Sequence, residues 1–233
     1  MCEIAISENG ANRLYWLGRY TERAYLSLHM LRRYFDIYLD GNQLEVLDYE
    51  RKFGRELKGE LSFDDFASLY IFDKSNESSI MSILTGANDN AILLREIIKS
   101  ESLSYIQMSI CLLEKLIGSD KTITVTSLQK VTDYLLAFFG SIEERLFCDR
   151  ALAFVRYGRC VESLDMHMRF DYDYQAVRDV FERMLRWIEI DKSVINQSSL
   201  EKFNLLLNKD SYAIEDPAYK NVMLDTVNSL VIL

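Results

Sequence analysis

One proline and nine glycines punctuate 233 residues, far fewer breaks than the many tight turns of an all-β fold require. Long helices joined by short loops fit that scarcity. Apolar runs are short as well: charged or polar residues interrupt each of them before the roughly 20 residues that a bilayer span needs. The opening MCEIAISENG lacks the basic-then-apolar pattern of a secretory signal. Cys2, Cys111, Cys148 and Cys160 form no CxxC pair and have no histidine at metal-ligand spacing, which speaks against a structural zinc site and a disulfide framework. No glycine-rich phosphate loop or dinucleotide fingerprint is present. The chain is therefore expected to be soluble and cytoplasmic, with no metal and no cofactor.

What is present is the composition of a globular protein: 49% hydrophobic and 27% charged residues are enough to build a core. The formal charge of -9 disfavours nonspecific attraction to nucleic acid or anionic lipid. No nucleic-acid partner and no membrane partner are expected.

Hydrophobic spacing predicts a succession of helices. Leu14, Leu17, Ala24, Leu28 and Leu31 form one stripe of a long helix from about Glu8 to Leu39. Gly41 and Asn42 close it, and a second amphipathic segment from Gln43 to Leu57 stops at Gly59. Ser62 and Asp65 resemble a cap for a short helix over Phe63 to Phe72. Asn76, Ser78 and Ser79 offer N-caps to one helix reaching Ile98 across Gly86. Further helices are predicted over Ser102 to Ile117, ending at Gly118; from a Thr126–Gln129 capping box to Leu146, with Gly140 as a bend; over Asp149 to Arg169; and over Asp173 to Ile190. Ser198 with Glu201, and Asp216 with Pro217, open the last two. The β-branched run KTITVTSL, Lys121 to Leu128, is the one strand-like stretch, and an isolated strand has no partner. The expectation is all-α: a single antiparallel helical bundle of about eight to ten helices, one domain over 1-233.

Two stretches carry the polar chemistry. YWLGRYTERA places Arg19, Glu22 and Arg23 on one helical face with Tyr15, Trp16, Leu26 and Met30, while Leu14, Leu17, Ala24 and Leu28 take the opposite face. VRYGRCVESL repeats the Gly, Arg and Glu 140 residues later, with Arg159 and Glu162 framed by Leu152, Val155 and Met166. Neither face is plainly solvated, so the charges belong inside a bundle or at its mouth. One reading is a structural ion-pair network, with Gly18 and Gly158 letting two helices approach. The other is a polar cleft in which arginine forks hold a carboxylate or phosphate and a glutamate holds an amine or moves a proton. Asn88, Asp89, Asn90 and Arg95 add polar residues to the middle helix, where asparagine asks for a hydrogen-bond partner. His29 and His167 lack a nucleophile arrangement. Cys160 is either a thiol activated by Arg159 or a small buried hydrophobe.

These residues carry a resemblance. LYWLGRYTERA at Leu14 to Ala24, NESSIMSILTGANDNAILLRE at Asn76 to Glu96 and RALAFVRYGRCVES at Arg150 to Ser163 are similar, in order, to the motifs of the bacterial alpha-E domain family. That family is all-helical and named for its Glu-Arg motifs. Asn88 stands where the family usually has Arg, Asp89 where it has Glu, and Ser163 where the second motif usually has Arg. The resemblance implies association with circularly permuted ATP-grasp ligases or transglutaminase-like proteins, and a place in peptide synthesis or modification. The polar positions it matches are Arg19, Glu22, Arg23, Asn90, Arg95, Arg159 and Glu162.

Three functions stay open on this reading. The first is an accessory or substrate-binding protein of an ATP-grasp-dependent amide-forming or protein-modification pathway, holding a peptide, amino-acid or phosphorylated group. The second is an enzyme with Glu22 or Glu162 as general base. The third is a purely structural interaction bundle.

Overall fold

The computed structural model describes residues 6–39, 49, 51–52, 65–66, 68–117 and 125–233, with the backbone alone for 35–39 and 125–127. The expected all-α class holds: α1 (Glu8–Leu39), α2 (Ile80–Leu93), α3 (Arg95–Ile117), α4 (Val125–Arg145), α5 (Asp149–Arg169), α6 (Tyr174–Ile188), α7 (Gln197–Leu206) and α8 (Pro217–Asn228). A π-helical turn occupies Ser68–Phe72 and a 3-10 turn Lys209–Ser211. The one β-type contact among the described residues is an isolated bridge between Ile195 and Val231. The expectations for Gly41 to Gly59, apart from residues 49, 51 and 52, for Ser62 to Asp64, for Gly118 and for Lys121 to Thr124 lie outside the described residues.

Cap chemistry explains most helix starts. Ser79 accepts from the Ser82 amide at 3.1 Å, Asp173 from Ala176 at 2.9 Å, and Asp216 from Ala218 at 2.8 Å with Pro217 at the first helical position. Three expectations need correction. The helix from Ser79 ends at Leu93, capped by Leu94, and α3 has its own break at Lys99, whose φ of 69° no α-helix accommodates. The backbone of Thr126 lies inside α4 rather than at the cap position before it, and the Gln129 side chain donates to Asp133 at 2.9 Å. The cap of α7 is Asn196, which accepts from Ser199 at 3.2 Å, rather than Ser198. Gly140 lies within an unbroken α4.

Chain contacts divide the protein into two compact units. One comprises residues 1–22 and 147–233, the other residues 23–146. In the first unit, the start of α1 and helices α5 to α8 surround a core that includes Leu14, Leu17, Phe154, Val161, Phe181, Phe203 and Val227. α5 is its centre, buried along most of its length. α6 is strongly two-faced: Val177, Val180, Phe181, Met184 and Ile188 are buried, while Arg183 and Arg186 are exposed. In the second unit α2 packs on α3 and α3 on α4, with Ile80, Leu84, Ile98, Ile106, Leu135 and Phe138 fully buried.

Candidate functional site

The two glycines of the repeat explain how α1 and α5 meet. A Cβ on Gly18 would lie 2.1 Å from the Val155 carbonyl oxygen, and one on Gly158 would lie 2.0 Å from that of Tyr15. Both distances are far inside van der Waals contact, so backbone rests on backbone, and a methyl group at either position would drive the helices apart. The anticipated close approach is confirmed, and it is reciprocal: each copy of the motif contributes a glycine to the other's backbone.

That approach brings the charges across the crossing. Arg19 Nε donates to Glu162 Oε2 at 2.7 Å, and Arg159 Nε donates to Glu22 Oε2 at 2.7 Å. Each arginine is therefore paired with the glutamate of the other copy. The two bridges differ in surroundings. Arg19 and Glu162 side chains are 9% and 0% exposed, Arg159 and Glu22 19% and 10%. The first extends further: Arg19 Nη2 donates to Asn228 Oδ1 at 3.1 Å, Asn228 Nδ2 donates to Asp165 Oδ1 at 3.1 Å, and Arg169 Nε donates to Asp165 Oδ2 at 2.5 Å. Trp16 and Tyr15 rings lie against the Arg19 guanidinium, 5.3 and 5.9 Å from their centroids. Burial alone would lower the Arg19 pKa, but Glu162, Tyr15 and Asp165 together outweigh it and the guanidinium is held above its ordinary value. This half of the repeat is a closed ion-pair network.

The second bridge faces a cavity of about 360 Å³. α5 contributes Arg156, Arg159, Cys160 and Ser163 to its wall; α6 contributes Val180, Arg183, Arg186 and Trp187. Ile190 and Glu22 complete the lining. Arg156 stacks over Trp187 at 5.3 Å. Burial, then the neighbouring Arg159, pushes its pKa down to about 10, as expected for a cation crowded by like charges. Cys160 goes the other way from an activated thiol: burial and then Glu22 push it up to about 11 against the opposing arginines. It is a protonated, buried side chain and not a nucleophile at neutral pH. Nearby, His167 Nδ1 donates to the Ser163 carbonyl at 2.5 Å. Its pKa is lowered, chiefly by burial.

The structure thus brings together Arg19, Glu22, Arg159 and Glu162. Arg23, Asn90 and Arg95 belong to the other unit. Asn90 Nδ2 donates back to the Gly86 carbonyl at 2.9 Å, the usual way for a mid-helix asparagine to satisfy its amide. Arg95 is exposed and lies 3.5 Å from Glu96. Sequence reasoning missed Arg156, Arg183, Arg186 and Trp187. The available signal was the arginine pair in ERMLRW, three residues apart and flanking an apolar stripe, which reads as a solvated face until α5 is set beside it.

No described helix is long and apolar enough to cross a membrane, and no group of three or more described His, Cys, Asp or Glu side chains could hold a metal ion. A protein-family model described as a predicted alpha-helical domain with a conserved ER motif matches residues 9–195. No curated protein and no solved structure matches the chain.

Proposed function

The chain belongs to the Alpha-E family, and on that premise we propose that it is a cytoplasmic accessory or substrate-binding protein of an ATP-grasp-dependent amide-forming or protein-modification pathway, with the arginine-lined cavity as its binding site. The observation that carries the reading is the lining itself: four arginines and one carboxylate around a concave wall that also presents Trp187, Val180 and Ile190. Convergent guanidinium groups beside apolar surface suit a small molecule bearing an anionic group, either a carboxylate or a phosphoryl group. Glu162 supports this division of labour. It is fully buried against Arg19 and does not line the cavity, so it serves packing, whereas Glu22 and Arg159 serve the site.

The partner and the site are tested together by mixing the full chain with an ATP-grasp ligase from the same organism. Co-elution, and a rise in melting temperature on adding that ligase's anionic substrate, is the expected result. An unchanged melting temperature and separate elution would overturn the proposal. Glu22, as the one carboxylate on the cavity wall among the described residues, also carries the enzymatic alternative. Glu22→Gln retains pathway turnover if the protein only binds, and abolishes it with the fold intact if Glu22 moves a proton.

A further inference from the structure

Charge accounting at the cavity goes further than anion binding. Arg156, Arg159, Arg183 and Arg186 line it, with Glu22 as the one lining carboxylate. Glu22 is committed to Arg159 through the 2.7 Å bond. No ion pair joins Arg183 or Arg186 to a carboxylate among the described residues. A monocarboxylate would neutralise one of the two charges on Arg183 and Arg186 and offer its two oxygens in one plane. A phosphoryl group brings nearly two charges at neutral pH and three oxygens directed to different sides. The arginines also stand on different sides, Arg156 and Arg159 on α5, Arg183 and Arg186 on α6. Crowding of Arg156 by Arg159 and Arg183 is the repulsion that such an anion relieves.

The rest of the wall sets the kind of molecule. Val180, Trp187 and Ile190 form an apolar side next to the arginines, which a bare phosphate ion would leave uncovered. A nucleic-acid strand is a poor fit, because the chain carries a charge of -9 and the basic residues line a cavity rather than an extended stripe.

Resting on the anion-binding reading above, we propose that the cavity takes a small phosphorylated molecule with an apolar body, its phosphoryl group held between the arginines of α5 and α6 and its body against Trp187, Val180 and Ile190.

Titration calorimetry of the full chain at low ionic strength, with phenyl phosphate, benzoate and inorganic phosphate as probes, separates the terms. Phenyl phosphate and benzoate share one ring and differ in the anionic group, while phenyl phosphate and inorganic phosphate differ in the body. Phenyl phosphate is expected to bind at least tenfold more tightly than either. Arg183→Gln and Arg186→Gln, both exposed, should each weaken it about tenfold without moving the melting temperature of the free protein. Benzoate binding as tightly as phenyl phosphate would overturn the phosphoryl assignment and leave the anion-binding reading standing. Inorganic phosphate equalling phenyl phosphate would overturn the apolar body. Failure of all three probes to bind would remove both proposals.

Discussion

Gly18 and Gly158 are the residues on which the repeat depends, and each has no room for a methyl group. Because the atoms a Cβ would strike are the carbonyl oxygens of Val155 and Tyr15, relief requires moving a helix rather than a rotamer. Gly18→Ala or Gly158→Ala should cost about 3 kcal/mol or more, the upper end for overpacking, read as a shift of the urea midpoint. Gly140→Ala is the control. A Cβ there meets nothing within 4 Å, so the better helix propensity should stabilise by about 0.5–1 kcal/mol. The crossed bridges make a second prediction. Arg19→Met strands Glu162, which is fully buried, and should cost about 3–5 kcal/mol. Adding Glu162→Met should recover most of that loss, whereas adding Glu22→Met should not, since Glu22 is paired with Arg159. A double-mutant cycle measures the difference. The sequence makes the glycines and charges visible at matching spacing. It cannot say which glutamate meets which arginine, because that depends on how two segments 140 residues apart cross.

Among the elements, α5 and α6 show what periodicity reveals and what it conceals. α5 spans the predicted Asp149 to Arg169, and α6, predicted over Asp173 to Ile190, runs from Tyr174 to Ile188 with Asp173 as its cap. The side chain of that cap, Asp173, accepts from the Ala176 amide, so Asp173→Ala should lower stability by about 1 kcal/mol in chemical denaturation while leaving anion binding unchanged. The breaks at Leu94 and Lys99 were not legible. Neither glycine nor proline marks them, and Lys99 takes a positive φ that its residue type does not announce. Capping signals were right where the side chain stands directly before the first helical residue, as at Ser79 and Asp216. They were wrong where a competing group existed: the Gln129 side chain donates to Asp133, and Asn196, two residues before Ser198, caps α7. The cavity needed both helices at once, so the arginines of α6 read as ordinary surface charge.

For the whole molecule, the all-α class follows from sparse glycine and proline, while the cavity's basic character runs against the overall acidic charge and so escapes any reading of net charge. Global stability near neutral pH should depend on one half-buried group. His167 is lowered from its ordinary value of 6.5, first by burial and then by Arg183 on α6, against the Ser163 carbonyl and Glu22 on α1, which favour the cation. The folded protein therefore binds fewer protons than the unfolded chain between the lowered value and 6.5. The stabilisation from the neutral imidazole is fully present above that upper value and is lost as pH falls through the window below it. Asp191 does not interfere. Burial raises its pKa, but hydrogen bonds from Ser193 and Arg150 outweigh this, so its contribution is lost only as pH falls below the ordinary carboxylate value of 3.8. Urea denaturation should show a lower midpoint at pH 5.5 than at pH 7.5, and His167→Gln, which cannot become a cation, should flatten that difference. An equal pH dependence in the variant would place the proton uptake elsewhere.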